Sequence, residues 1–416
     1  MSGASCDPRP HTTCFILAGG LGERLRPLTL SVPKPLLHFG GFHRLLDFTL
    51  ANVVNSSVSQ SYVLTQYLAD SVGTYLRSSA YAFRHIRNQP PASGKRYRST
   101  ADSVAQNLGL APPESDLILV LSADHVYRMD YGSLIAHHIE QGAGVTVGAV
   151  PVPLSAAQEL GVFSIDAGGL IVDFAEKPAE PDPMPDRSTQ ALSSMGVYVF
   201  DRSLLSEALA DLHDRIPGPD FGRDVIPYCV ERGQACAYLA MGPEGDPLYW
   251  RDVGTLQTYY DANMDALADR SLTPLSGSKL TPADTSRAIG QVQSGRLGSS
   301  IVAPSVLLGE CHVERSILSP GTRVYDGAVV RDSILLPGAY IGRGASVRNA
   351  IICEGGRIEE GLQVGHAVSD DRHRFHVTES GLVVVSGLQN EEERARACPT
   401  GPDRIRRPEP HQLVGI

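Results

Sequence analysis

The stretch Phe15-Ile16-Leu17-Ala18-Gly19-Gly20-Leu21-Gly22-Glu23-Arg24 runs an apolar strand into a glycine turn and an arginine, and Pro33-Lys34-Pro35 follows in the same loop. Glycines let a backbone approach a phosphate chain and aim N–H groups at it, and the two cations would neutralise that chain. The spacing is neither that of a Rossmann loop nor that of a Walker A loop, because Gly22 is not followed by Lys and Ser or Thr. Two carboxylates stand out further on. Asp124, in Ala123-Asp124-His125-Val126-Tyr127, ends a very apolar run, and Asp252 sits in Tyr249-Trp250-Arg251-Asp252-Val253-Gly254. An aspartate at a strand end is also a common helix N-cap, so neither residue says much alone. Lys177, in Phe174-Ala175-Glu176-Lys177-Pro178, follows a strand and is clamped by a proline, which suits a fixed contact. His125 reads as structural, and no Cys/His cluster suggests zinc.

Such residues must be held at strand ends. From Cys14 to about Val253, strand patterns over 14–17, 62–65, 117–121, 145–150, 196–200 and 235–239 alternate with helical ones over 45–55, 100–109, 132–141 and 202–211. The alternation predicts an α/β fold, a mostly parallel mixed sheet with helices on both faces. Ligands in such sheets sit beyond the carboxyl ends of the strands, where the glycine loop and Asp124 both lie. Between Arg270 and Ser300 Ser, Thr, Gly and Pro cluster as in a linker. Beyond it Ser316-Ile317-Leu318, Ser333-Ile334-Leu335 and Ala350-Ile351-Ile352 recur at a 17-residue step. Aliphatics also recur about every six residues, the mark of hexapeptide repeats in a left-handed parallel β-helix and not of a period-2 strand. The expected division is a first domain over 1–268, a linker over 269–299, and a β-helix with a C-terminal tail over 300–416. Residues 376–386 read as a last strand pair, and the Arg/Glu/Pro-rich tail after Leu388 reads as mobile.

Composition bounds the function. The 416 residues suggest two domains, and 42% apolar residues suffice for a large core. The net charge of −10 without a basic block argues against nucleic acid, so phosphate-binding cations must be local. No apolar run approaches the roughly 18 residues that span a bilayer. Residues 1–13 carry no signal-peptide core. Seven scattered cysteines fit neither a disulfide framework nor a zinc site, which points to a reducing cytoplasmic setting.

The run Leu17-Ala18-Gly19-Gly20-Leu21-Gly22-Glu23-Arg24-Leu25-Arg26-Pro27-Leu28-Thr29, with Pro33-Lys34-Pro35, resembles the signature of sugar-phosphate nucleotidylyltransferases. These join a nucleoside triphosphate to a sugar 1-phosphate and release pyrophosphate. Further motifs narrow the match: Asp47-Phe48-Thr49-Leu50-Ala51-Asn52, Tyr97-Arg98-Ser99-Thr100-Ala101-Asp102, Ala123-Asp124-His125-Val126-Tyr127, Gly161-Val162-Phe163, Glu176-Lys177-Pro178, Asp220-Phe221-Gly222-Arg223-Asp224 and Tyr249-Trp250-Arg251-Asp252-Val253-Gly254. Over nearly the whole chain, the β-helix included, they resemble the ADP-glucose pyrophosphorylases (glucose-1-phosphate adenylyltransferases) of bacterial glycogen synthesis.

The resemblance implies transfer of the adenylyl group of ATP to glucose 1-phosphate, in a cytoplasmic homotetramer. It assigns Leu17, Gly19 and Gly20 to the nucleotide, with Gln89 as a reader of the base. Arg24 and Lys34 would contact the phosphates. Glucose 1-phosphate falls to Tyr97, Gly161, Glu176, Lys177, Ser194, Tyr198, Asp220, Phe221 and Trp250. The reaction needs charge neutralisation and a divalent ion, and Mg²⁺ wants carboxylate oxygens, here those of Asp124 and Asp252. His38 and Arg44 match effector positions, and Arg343 or Arg348 could assist them, but Ser31 stands where an activator-binding lysine occurs in some members. Leu21, Ser99 and Arg87-Asn88-Gln89-Pro90-Pro91 also depart from the pattern. Two alternatives stay open. One is the same chemistry on another pair, such as GTP with mannose 1-phosphate. The other is a non-catalytic regulatory paralogue, which loss of Arg24, Asp124, Lys177 or Asp252 would mark; all four are present.

Overall fold

The structure is a computed structural model that describes residues 11–387, apart from 57, 80–85, 93–94, 243, 270, 275–290 and 293–295. Most of the expected linker, the tail after Gly387, Cys6 and Cys398 lie outside the described residues. The strand His11–Ala18 occupies the middle of a nine-stranded sheet. It pairs in parallel with Gln60–Thr65 on one side and Ser115–Ser122 on the other. Its side chains explain the unbroken apolar run, because Phe15 packs into the cluster on one face while Cys14 and Ile16 pack into the cluster on the other. A strand covered on both faces needs no polar alternation.

The six expected sheet strands and the four expected helices are all present, with ends shifted by a few residues. The parallel run ends at Gln190–Asp201, which is antiparallel to both Ser115–Ser122 and Val145–Pro153. Residue pattern does not carry strand direction. The hairpin Gly161–Ile165 with Ile171–Glu176 joins this side of the sheet, and Ile86–Gln89 adds a parallel edge strand on the other. The strand Ile171–Glu176 is the one expected just before Lys177, whereas Gly161–Ile165 and Ile86–Gln89 are additional to the strands expected.

The repeats form a parallel β-helix. Ile317, Ile334 and Ile351 stack in register, as do Leu318, Leu335 and Ile352, and Val313, Val330, Val347 and Val364. His376–Val377 pairs antiparallel with Val383–Val385, the strand pair that closes the domain. The aliphatic doublets have a specific cause. Leu318, Leu335 and Ile352 fill the coil, whereas Ile334 and Ile351 face outward into a cluster with Leu25, Phe39, Phe48 and Tyr259 of the first domain. Helix Leu256–Ala268 contributes Leu256, Tyr259, Ala262 and Ala266 to this seam. The Tyr260 hydroxyl donates to the Asp332 carbonyl at 2.7 Å, and the Gly40 N–H to Asn263 Oδ1 at 2.9 Å.

Candidate active site

Gly22 has φ 62°, and a Cβ there would lie 2.9 Å from Thr29 Cγ2, so the turn after Gly19-Gly20 needs glycine at this position. The Thr29 hydroxyl donates to the Gly22 carbonyl at 2.8 Å, and Leu25 is fully buried beneath. The loop is thereby held beside the neighbouring strand end, where the Ala123 N–H donates to the Leu17 carbonyl at 3.1 Å. Gly19, Gly20, Gln66, Thr100 and Asp124 are among the residues around a cavity of about 360 Å³ at these strand ends.

Asp124 and Asp252 meet through a second pairing. The three-residue strand His125–Tyr127 runs antiparallel to Trp250–Asp252, with Asp252 opposite His125. Lys34 Nζ lies 2.5 Å from Asp124 Oδ2 and 3.8 Å from Asp252 Oδ1. Burial works to lower the Lys34 ammonium, but the two aspartates outweigh it and hold the pKa above the ordinary lysine value. Burial likewise works to raise the Asp124 carboxyl, and Lys34 and His125 outweigh it and hold it below the ordinary value. His125 Nε2 stands 3.7 Å from Asp124 Oδ1 and 3.5 Å from Asp252 Oδ1. Its Nδ1 is 3.0 Å from the Met195 carbonyl, which can only accept, so that contact places a proton on Nδ1. Two carboxylates facing one lysine suit a hard divalent cation, whose usual donors are carboxylate oxygens. Among the described residues no group of three His, Cys, Asp or Glu side chains forms a ready metal cage.

Glu176, Lys177 and Asp220 belong to a second group, which forms a wall of its own. Glu176 ends the strand Ile171–Glu176 opposite Gly161. A Cβ on Gly161 would come within 2.9 Å of Glu176 Oε2, and one on Gly222 within 2.6 Å, so the carboxylate is wedged between two bare backbones. Burial, opposed by Lys177 and reinforced by Asp220, holds the Glu176 carboxyl above the usual range. Lys177 follows in the left-handed region at φ 52°, with its N–H donating to the Leu160 carbonyl at 2.9 Å. A non-glycine residue held there costs about 1–3 kcal/mol, a strain common where a side chain must be aimed. Asp220 Oδ1 accepts from the Gly222 N–H at 3.0 Å, and its Oδ2 from the Thr100 hydroxyl at 2.5 Å. Phe221 stacks on Tyr198 at 5.8 Å, and Ser194 Oγ donates to the Tyr198 hydroxyl at 3.3 Å. Trp250 stands edge-on to His125 at 5.2 Å, and its buried Nε1 has no hydrogen-bond partner among the described residues.

Not every expected residue lies with its group. Tyr97 lines the cavity beside the glycine loop. Its hydroxyl donates to the Gln89 carbonyl at 3.2 Å and accepts from Asn107 at 2.9 Å. Gln89 is not among the residues lining that cavity, and its side-chain amide contacts the Pro90 carbonyl at 3.4 Å. Arg24 Nη1 is paired with Glu159 Oε2 at 2.9 Å. Gln66, Thr100 and Glu159 were not expected. Gln66 accepts the Tyr97 N–H at 2.6 Å and donates to its carbonyl at 3.3 Å. Its place just past a parallel strand, like that of Gly19, is the signal that could have marked it.

His38 and Arg44 oppose each other in the ribbon His38–Phe39 with His43–Arg44. His38 also lines a cavity of about 260 Å³ between the first domain and the β-helix, with Ser31, Pro337 and Glu354. Burial and the neighbouring Arg44 push the His38 imidazole down to about 3. Arg44 Nη1 donates to the Leu36 carbonyl at 2.7 Å. Arg343 pairs with Asp326 at 3.0 Å, and Arg348 stacks in register on Arg331; neither lines this cavity.

Residues 13–269 match the nucleotidyl transferase family, and residues 282–385 match the GlmU-like C-terminal hexapeptide family. Glucose-1-phosphate adenylyltransferase 2 of Vibrio parahaemolyticus is 40% identical over 397 residues, 89% of this chain and 97% of its own length. Glucose-1-phosphate adenylyltransferase of Albidiferax ferrireducens is 39% identical over 412 residues, 92% of this chain and 96% of its own. That of Rhodococcus opacus is 39% identical over 343 residues, 77% and 83%. Similarity of this depth covers about nine-tenths of the chain, and the chain belongs to the glucose-1-phosphate adenylyltransferase family of nucleotidyl transferases.

Proposed function

We propose that this chain transfers the adenylyl group of ATP to α-D-glucose 1-phosphate, giving ADP-glucose and pyrophosphate for glycogen or α-glucan synthesis. The observation that carries the proposal is the meeting of Lys34, Asp124 and Asp252 beside the glycine-lined cavity. The sugar phosphate oxygen attacks the α-phosphorus in line, and pyrophosphate leaves, so the protein's task is positioning and charge neutralisation. The loop at Leu17, Gly19 and Gly20 receives the nucleotide, and Arg24 and Lys34 neutralise its phosphates. Lys177 grips the phosphate of the sugar. Glu176, Ser194, Tyr198, Asp220, Phe221, Gly161 and Trp250 shape the sugar pocket, with Tyr97 behind the nucleotide. Asp124 and Asp252 are the residues that would hold Mg²⁺. When bound, such an ion offsets phosphate charge that these two carboxylates alone would repel.

The working division is a catalytic domain over 1–268, a linker over 269–299, and a β-helix domain over 300–416. The assembly is proposed to be a cytoplasmic homotetramer, with effectors acting near His38 and Arg44. No described helix is long and apolar enough to cross a membrane. One observation favours a second candidate, the same chemistry on another nucleotide and sugar: Gln89 stands off the cavity, so the choice of base falls to other groups. Pyrophosphate release assayed across four nucleotides and several sugar 1-phosphates tests both. Turnover highest with ATP and glucose 1-phosphate is expected, and a preference for GTP with mannose 1-phosphate would overturn the adenylyl assignment.

A further inference from the structure

Arg24 is the one proposed phosphate contact that carries an ion pair outside the aspartate centre. Its Nη1 meets Glu159 Oε2 at 2.9 Å, across 135 residues of chain. The other amino nitrogen lies by Gly254, where a Cβ would sit 3.1 Å from both Arg24 Nη2 and Asp252 Oδ2. Glu159 lies in the turn between helix Leu154–Ala157 and the strand that begins at Gly161. The next residue, Leu160, holds the Lys177 N–H through its carbonyl, and Gly161 pairs with Glu176. The pair therefore ties the nucleotide loop to the wall that carries Lys177.

Both partners are more than half exposed, 52% for Arg24 and 67% for Glu159. An ion pair so exposed is weak. A guanidinium facing phosphate oxygens makes stronger, charge-assisted contacts. A triphosphate arriving in the loop would therefore win Arg24 from Glu159, at the cost of this pair.

We propose that Glu159 is a positioning residue that clasps Arg24 to the sugar-side wall and competes with the triphosphate for it. The clasp weakens nucleotide binding and couples the glycine loop to the Leu160–Lys177 segment. The inference rests on the proposed role of Arg24 at the phosphates.

The test is equilibrium titration of ATP into the full chain without sugar phosphate, for wild type, Glu159→Gln, Arg24→Ala and the double variant. Glu159→Gln removes the charge from an exposed side chain and keeps its shape. It is expected to tighten ATP binding by about two- to fivefold, the range set by an exposed ion pair. The gain is expected to vanish in the Arg24→Ala background, because the competition needs Arg24. Unchanged or weaker ATP binding by Glu159→Gln would overturn the proposal, as would an equal gain with and without Arg24. Failure of the underlying role is separately visible: Arg24→Ala alone would then bind ATP as tightly as wild type.

Discussion

Lys34 touches two carboxylates and is only 13% exposed, so its charge is spoken for before any substrate arrives. Asp124 and Asp252 are kept side by side because a cation stands between them. Replacing Asp124 by Asn removes one of the charges that would hold a divalent ion and leaves Lys34 with a single anionic partner. Asp124→Asn is expected to lower kcat by at least roughly 10²-fold with folding intact, in line with deletion of other electrostatic groups at reacting centres. Near-normal turnover would remove Asp124 from the proposed machinery. Lys177 makes a different case. Its backbone strain aims the side chain, and its contact would be with the bound sugar phosphate. Lys177→Ala is expected to raise the KM for glucose 1-phosphate far more than that for ATP, and steady-state kinetics on both substrates separate the two. An effect confined to ATP would put this lysine in the other subsite. At this scale the residue types were legible, but their pairings were not. Arg24, Lys34 and Asp124 stand out by spacing, whereas the Arg24–Glu159 contact and the Lys34 bridge depend on segments far apart in the chain meeting, 135 residues apart in the first case.

At the scale of elements, much of the sheet could be foreseen because strands such as His11–Ala18 are buried on both faces and show as apolar runs. Of the hairpin Gly161–Ile165 with Ile171–Glu176 only the strand end before Lys177 was legible, since Asp173 interrupts the apolar residues. That hairpin carries Glu176 and positions Lys177, so the least legible strands hold part of the site. In the β-helix the period was plain, but the meaning of the doublets was not. Ile352 faces the coil, while Ile351 faces the first domain, and a single chain of letters does not say which surface covers the outer one. Both are fully buried. Truncating either to Ala is therefore expected to cost about 2–5 kcal/mol, as for other buried Ile positions. Denaturant melts of Ile351→Ala would measure it. A loss below about 1 kcal/mol would mean that the outer face is not packed as the structure places it.

At the scale of the whole molecule, one side of the β-helix is taken by the first domain, and Leu297 and Leu307 of its early coils are 41% and 44% exposed. The homotetramer proposed from the family is expected to appear in light scattering of the purified chain, and a monomer at micromolar concentration would count against it. The junction between the two domains bears on control. A sugar bisphosphate needs cations, and the cavity there offers few. Ser31 supplies a hydroxyl, Glu354 a carboxylate, and His38 an imidazole that burial and Arg44 hold neutral, with its pKa down at about 3. The Arg44 guanidinium is engaged with the Leu36 carbonyl and is not among the cavity-lining residues. Activation by fructose 1,6-bisphosphate is therefore expected to be weak, and initial rates at saturating substrates with and without the effector measure it. Replacing Ser31 by Lys would add a cation to this cavity and should strengthen the response. Activation of about tenfold or more in the unmodified chain, the coupling of an ordinary strong effector, would show that phosphate recognition here does not depend on a lysine at Ser31.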